Sequence, residues 1–355
     1  MDLSVRGASW IIAAGVIAAG LYFLREPLTQ FAMALILWLA IDGLAVSLDK
    51  RLPYVPRWVA LPAALLCVLG LVALMGWVVV INVGAMMAQS EHYVTRLNEV
   101  LAQAYGALGL PGAAPTVTSL VARIGPERIA GEIGASLQNL ASDVIFILIY
   151  LGFLFPAAST MSDKWDRIFV GEQREAAREA GRRIRDSMER YLWVQTVVSL
   201  IITALTYATL VIIGLDHALF WSFVIFFLNY IPTVGSIAAV VLVTAVALAQ
   251  FSSLTQVAAV FAGVGAWQFL IGNFVQPRMT GDSLNLSAVV VLLALAIWGT
   301  IWGIAGAFLA APLTVMLMIV LAQFESTRWI AILLSADGKP TPEATDRSKS
   351  VRGSN

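Results

Sequence analysis

Polar side chains suited to holding a solute by hydrogen bonds gather at three places in this sequence. Asn229, Thr233 and Ser236 surround the break Asn229-Tyr230-Ile231-Pro232-Thr233-Val234-Gly235, inside an apolar stretch from Phe220 to Gln250. Asn273, Gln276, Arg278 and Asp282 fall in Gly272 to Ser287, the densest polar cluster flanked by apolar segments. Thr300, beside Trp298, lies in a second interrupted stretch, Leu286 to Phe324, broken by Gly299, Gly303, Gly306 and Pro312. Amides and hydroxyls both donate and accept, while Pro and Gly free main-chain groups that lipid cannot satisfy. Paired interruptions of this kind point to a path for a solute or ion. Asp42, in the second apolar segment, and Asp282 are the acids placed to carry a coupling ion; Asp42 has an interfacial alternative beside Asp49 and Lys50.

The same residues have plainer readings. Pro232 and Gly235 can simply turn the chain, and Gly299 and Gly303, spaced as GxxxG, can form a helix-packing face. Gly272 to Ser287 can be a loop that caps two helices, with Ser287 as N-cap of the next.

Composition decides the solvent in which these elements must stand. With 59% hydrophobic and 12% charged residues in 355, and several apolar runs near or beyond the ~18 residues of a spanning helix, the chain reads as a polytopic inner-membrane protein. Net charge is zero, which gives no indication of nucleic-acid binding. The single cysteine, Cys67, excludes an internal disulfide and makes a thiolate metal cluster implausible. His92 and His217 form no HExxH, and no GxSxG elbow or GxxxxGK[ST] phosphate loop is present, so the sequence reads as no enzyme and implies no cofactor or metal. His217 beside Asp216 reads as an interfacial polar turn.

The fold expected is all-α, with about six full spans, two re-entrant or interrupted hairpins and a small outward-facing helical cap. Residues 1–89 supply N-terminal spans near Ala8 to Leu24, Leu28 to Ser47 and Trp58 to Gln89; the first reads as retained, not as a cleaved signal. Residues 90–139, punctuated by Gly109, Pro111, Gly112, Pro115, Gly125 and Pro126, form the cap, and 140–158 the next span. Residues 159–190 are a charged loop and helix, with Glu179/Arg183 and Asp186/Arg190 at i,i+4 spacing. That helix is read as a solvated lead-in to the next span, with a lipid-headgroup or regulatory contact as the alternative. Residues 191–335 hold the transport core and both hairpins, 218–250 and 286–324, and 336–355 a disordered polar tail.

Lys50, Arg51 and Arg57, and the eight Lys or Arg between Ser159 and Arg190, place their loops and both termini in the cytoplasm. The crossings then make the first hairpin enter from outside, with its tip at Pro232 to Gly235, and the second from inside, with its tip around Gly299 to Gly303. Helix ends exposed at such tips present partial charges to a solute. Polar residues cluster at the breaks and form no ring along one helix face, which favours alternating access over a passive pore; a non-transporting scaffold, which would bind a partner and move no solute, stays as the further alternative, separable by flux in reconstituted vesicles.

Leu228-Asn229-Tyr230-Ile231-Pro232-Thr233-Val234-Gly235, Gln276-Pro277-Arg278 through Gly281, Leu284-Asn285-Leu286-Ser287, and Trp298-Gly299 through Gly303, Gly306 and Ala311-Pro312-Leu313 together carry a resemblance. On these motifs, and on the order of its spans, the chain resembles the autoinducer-2 exporter family, the PerM-like permeases, over nearly its whole length. It departs at Ala288 and Ser236, where relatives commonly have Pro, and at Val194, near a frequent Gly. The resemblance implies a secondary exporter or permease whose hairpin-bearing part slides past a fixed scaffold, assembled as a homo-oligomer, with a pentamer as leading expectation. It further implies a small polar cargo, autoinducer-2 or a similar molecule, or in other branches sodium/proton antiport.

Overall fold

The structure, a computed structural model, describes residues 2–51, 90–109, 113–124, 126–280 and 285–339, with 66, 69–70, 73–74, 76–82 and 84–86 between them. Asp282, the tail beyond residue 339 and much of the span expected at Trp58 to Gln89 lie outside the described residues. Among the described residues the regular structure is helical, joined by turns and short irregular segments, apart from one isolated antiparallel bridge, Leu286 with Ser335. Apolar windows of spanning length occur in Gln173–Ile213, Leu254–Met279 and Ala288–Ala322, with shorter apolar helices at Ser142–Ala158, Ala218–Leu228 and Val234–Gln250. The protein is an all-α polytopic membrane protein.

In order, the helices are α1 (Asp2–Phe23), α2 (Arg25–Arg51), α3 (Ser90–Ala107), α4 (Val117–Ile124), α5 (Pro126–Ile168) and α6 (Glu172–Ile213). They continue with α7 (Ala218–Leu228), α8 (Val234–Gln250), α9 (Leu254–Leu270), a π turn (Ile271–Val275), α10 (Gln276–Thr280), α11 (Ala288–Ala322) and α12 (Arg328–Leu334). The first two meet at Leu24 with a bend of 84°. Contacts divide the chain into two units: residues 1–40, 149–193 and 280–355 form one, and residues 41–148 and 194–279 the other.

The second unit is built around the first hairpin. Helix α8 packs on α3, α7 and α9, and Val198, Ile202 and Leu210 of α6 share one core with Ile225, Val243 and Val260. At Gly263 the α6 and α9 backbones come close: a Cβ there would stand 2.7 Å from the Thr209 methyl. Thr209 Oγ1 accepts the Trp267 indole N–H at 3.0 Å, so the tight crossing is also a polar one. Arg96 of α3 is buried and donates to the carbonyls of Phe251 and Ser252 at 2.9 and 3.1 Å, capping the C-terminal end of α8 where carbonyls lack helix partners.

Helix α11 of the first unit is not straight. Gly303 has φ 66 and ψ −143, a conformation open to glycine and strained for other residues. The Trp298 indole N–H reaches Thr314 Oγ1 at 3.2 Å, whereas a straight helix would hold residues sixteen apart at about 24 Å. The segment therefore doubles back, with the Gly306 backbone so close to the Trp298 carbonyl that a Cβ would lie 2.0 Å from its oxygen. Gly299 faces Ala307 across the same turn. Pro312, buried in the returning arm, interrupts one helical hydrogen bond there. At the hairpin's base Ser287 N–H donates to the Leu334 carbonyl at 3.1 Å. Ser287 is the N-cap residue of α11, but its hydroxyl makes no cap hydrogen bond.

Of the two i,i+4 pairs expected on the charged half of α6, Glu179 with Arg183 forms at 2.8 Å; the other pair seen is Arg185 with Glu189 at 2.9 Å. The charged half of α6 is not free in solvent. Ala180 and Met188 are buried in a core with Ala32, Ile36 and Leu39 of α2 and with Leu309, Val315 and Ile319 of α11.

Candidate functional site: a buried amide cluster at a hairpin tip

The first hairpin turns because two rules of backbone geometry are met within seven residues. Pro232 cannot continue α7, and Thr233 adopts φ 61 and ψ −55, the centre of a γ-turn closed by Val234 N–H on the Pro232 carbonyl at 2.6 Å. Gly235 then passes under the Leu228 carbonyl, leaving no space for a side chain. Thr233 is a positive-φ residue outside glycine and is exposed, a strained position at the point where the chain reverses.

The tip's carbonyls are mostly engaged. Those of Phe227, Leu228, Ile231 and Thr233 accept Tyr230, Ile231, Gly235 and Ile237 N–H groups at 2.9 to 3.3 Å. Ser236 Oγ donates to Thr233 O at 2.8 Å. The expectation of open helix-end carbonyls at this tip thus gives way to a different arrangement, in which side-chain amides meet.

Asn229, at the C-terminal end of α7, is 8% exposed. Its carbonyl oxygen accepts Gln195 Nε2 from α6 at 2.6 Å, and its side-chain Oδ1 accepts Gln268 Nε2 from α9 at 2.9 Å. Gln195 Oε1 in turn accepts Gln276 Nε2 from α10 at 3.1 Å. Four neutral amides from four helices thus form one hydrogen-bonded chain, Gln276 to Gln195 to Asn229 with Gln268 joining from the far side. Gln195 and Gln268 are as buried as Asn229, at 5% and 7% exposure. Next to it, Thr196 Oγ1 and the Tyr230 hydroxyl share a hydrogen bond of 2.7 Å.

Within this cluster the donors of Asn229 stand out. Its Oδ1 and main-chain oxygen are both taken, while buried Nδ2 has no partner among the described residues. An unsatisfied buried amide costs about 1–3 kcal/mol, a cost removed by any small molecule that brings an acceptor to it.

The other expected site residues lie elsewhere. Asn273, within the π turn, is exposed and donates to Phe269 O of its own helix at 2.8 Å. The π turn shifts the phase of the helix beyond it, and Gln276, the first residue after it, reaches Gln195. Arg278 is exposed on α10. Thr300 is exposed on the second hairpin and donates to Ala296 O at 2.7 Å. Asp42 is buried on α2, at 6% exposure. His217 Nδ1 shares a 2.9 Å hydrogen bond with Asn82 Oδ1. Among the described residues no group of three or more His, Cys, Asp or Glu is placed to hold a metal ion.

Gln195 and Gln268 are the residues that motif reading missed. For Gln195 the signal was available, as the one amide in the span Tyr191 to Gly214, where a lone polar group requires a partner; Gln268 shares the span Leu254 to Phe274 with Gln256 and Asn273 and is not marked out in that way.

Comparison with known proteins finds transport proteins. The chain is 26% identical over 350 residues to the AI-2 transport protein TqsA of Escherichia coli strain K12, covering 94% of this chain and 97% of that one. It is 29% identical over 336 residues to a putative transport protein of Haemophilus influenzae, covering 91% and 94%. The putative permease PerM of Escherichia coli strain K12 is 22% identical over about half of each chain (52% and 52%). Residues 11–326 match the profile described as AI-2E family transporter, and the chain belongs to that family of membrane transporters.

Proposed function

We propose that this chain is a secondary transporter that exports a small polar solute across the inner membrane by alternating access, and that Gln195, Asn229, Gln268 and Gln276 bind the solute in passage. The observation that carries this reading is the buried Nδ2 of Asn229 at the tip of a hairpin, which has no partner among the described residues. A site of neutral amides suits a hydrogen-bonding cargo that must also be let go. An autoinducer-2-like signalling molecule is the cargo named first, because TqsA is described as an AI-2 transport protein. Thr233, Ser236, Asn273, Arg278 and Thr300 are assigned to the walls of the path. Pro232 and Gly235 act by shaping the tip, and Gly299, Gly303, Gly306 and Pro312 by shaping the second hairpin.

In the same reading the basic loops hold both termini in the cytoplasm, the hairpin-bearing part moves in an elevator-like manner, and the working particle is a homo-oligomer with a pentamer as first choice. Sodium/proton antiport is the second reading, favoured by one observation, the buried carboxyl of Asp42; Asp282 would be its other acid. The test is flux into proteoliposomes of furanone, sodium and protons, with Asn229→Ala and Asp42→Asn alongside the unchanged chain. Furanone flux lost in Asn229→Ala supports the first reading. Cation flux lost only in Asp42→Asn supports the second, and gradient-independent flux in all three chains would mean a passive pore.

A further inference from the structure

Helical hydroxyls have an ordinary way to satisfy themselves. Ser222, Thr209, Thr300 and Thr314 each donate to the carbonyl four residues earlier, at 2.7 to 2.9 Å. Burial does not prevent this, since Ser222 does so at 0% exposure. Ser199, Thr203 and Thr206 of α6 behave otherwise. Their hydroxyl oxygens are buried and have no hydrogen-bond partner among the described residues, and Ser199 and Thr206 are enclosed entirely. A buried hydroxyl in this condition is costly, and three on one stretch of helix call for a physical reason.

Their placement relative to the amide cluster supplies one. At about 100° per residue, Ser199 lies about 40° round α6 from Gln195 and Thr203 about 80°, on the side that Gln195 turns toward Asn229. Gln195 meets Gln276, and Thr209 meets Gly263 and Trp267, so α6 runs antiparallel to α9 and α10. In step with these two rungs, Thr203 is level with Gln268, and Ser199 falls between that level and the rung of Gln195 with Gln276. Gln195 and Gln268 are the residues that hold Asn229, by its main chain and its side chain. Ser199 therefore stands inside the frame of four amides, where Asn229 Nδ2 also lacks a partner among the described residues. Thr203 stands at the edge of the frame, and Thr206, about 4.5 Å further along the helix, beyond it.

The two unpartnered groups inside the frame are complementary to a hydroxylated solute. Asn229 Nδ2 can only donate, whereas Ser199 Oγ donates and accepts. They do not bond one another in this conformation, so a molecule that reaches both satisfies two buried groups at once. A hydroxyl of that molecule exchanges hydrogen bonds with Ser199, and a second oxygen accepts from Asn229. Gln195, Ser199, Thr203, Asn229, Gln268 and Gln276 carry no charge, so the frame offers nothing to balance an ionised cargo.

Resting on the reading of the amide cluster as the solute site, we propose that Ser199 is a specificity-determining residue of that site, assisted by Thr203, and selects an uncharged solute that carries a hydroxyl group. A site built to hydrogen-bond a hydroxyl rejects the analogue that lacks it, because its own buried groups are then left unpaired.

The test is flux into proteoliposomes of a hydroxyfuranone and of its O-methyl ether, which keeps the ring and loses the donor. The unchanged chain is expected to favour the hydroxyl probe at least about fivefold. Ser199→Ala should bring that ratio to about one while its midpoint of thermal unfolding holds or rises, because the hydroxyl removed had no partner. Thr203→Val should lower the ratio part of the way. Thr206→Val removes an equally buried hydroxyl outside the frame and should keep the ratio of the unchanged chain. Equal flux of the two probes in the unchanged chain overturns the proposal, as does a ratio unaltered in Ser199→Ala or lowered as far in Thr206→Val. A lower midpoint in Ser199→Ala also overturns it, since the hydroxyl would then be held by a structural bond. Should Ser199→Ala fail to insert, Thr203→Val decides by the same ratio: a fall supports the assignment and no change overturns it. Hydroxyl-probe flux that is lost in Asn229→Ala but whose preference survives Ser199→Ala removes Ser199 alone. No flux of either probe in the unchanged chain would overturn the solute-site reading and this assignment with it.

Discussion

Gly235 lies against the carbonyl of Leu228 so closely that a Cβ on it would be 1.7 Å from that oxygen. The obstacle is main chain, so no rotamer change can make room. Gly235→Ala is therefore expected to splay the hairpin and cost about 1–3 kcal/mol, read as a lower midpoint of thermal unfolding in detergent. Gly306→Ala meets the Trp298 carbonyl at 2.0 Å and should lose a similar amount. Gly272→Ala, with no atom in reach of the new Cβ, is the matched control and should hold its midpoint.

The amide chain gives a graded prediction. Gln268→Ala removes the only donor seen on Asn229 Oδ1, and Gln195→Ala removes the link to both Asn229 O and Gln276. Each leaves a buried acceptor unsatisfied at about 1–3 kcal/mol, so solute flux should fall by roughly 5- to 150-fold if that cost is felt in the translocating state. Asn273→Ala breaks only a bond within its own helix and should reduce flux less. The three rates, normalised to protein inserted in vesicles, check the order.

Arg96 makes a third case. It bonds two successive carbonyls beyond α8 and Glu99 at 2.6 Å, a fork that lysine cannot reproduce. Arg96→Lys is expected to lose about 1.5–3 kcal/mol and to open α3 to limited proteolysis well before the rest of the chain. Equal cleavage rates in the variant and the unchanged chain would show that this guanidinium does not hold α3 in place.

Asp166 supplies a pH dependence. The paired hydrogen bonds from Arg174, followed by those from Arg178, hold its carboxyl below the usual carboxylate range despite an opposing desolvation effect. Its contribution is complete above the ordinary value of about 3.9 and is lost as pH falls through the lower folded value. Thermal midpoints measured from pH 6 downward, over about pH 6 to 3, should fall in the unchanged chain and be flatter in Asp166→Asn. Because the pair is exposed, the difference should shrink in high salt.

The hairpin breaks were legible from sequence because their cause is local. Pro232 with Gly235, and Gly303 with Gly306, are residue types whose backbone limits or freedoms act at their own positions. Asn229 could be singled out for the same reason, since it adjoins the break. Gln195 and Gln268 could not be joined to it from sequence, because residues 34 and 39 positions away meet only after three apolar helices have packed. Arg96 stayed hidden in the same way, its carbonyl partners lying 155 and 156 residues on. Gly299 and Gly303 admitted a helix-packing reading as well as a break, and only the positive φ of Gly303 with the Trp298 to Thr314 bond separates the two.

The closed base of the second hairpin constrains sidedness. Asn285 and Asp337 are joined by a 2.8 Å hydrogen bond, and Ala336 N–H returns to the Asn285 carbonyl at 2.9 Å. However deep the turn at Gly303 reaches, these two ends must emerge on one and the same face of the bilayer. A cysteine placed at either position should therefore react with an impermeant thiol reagent from a single, shared side, and a count of crossings that treats Ala288–Ala322 as one pass would assign that side incorrectly.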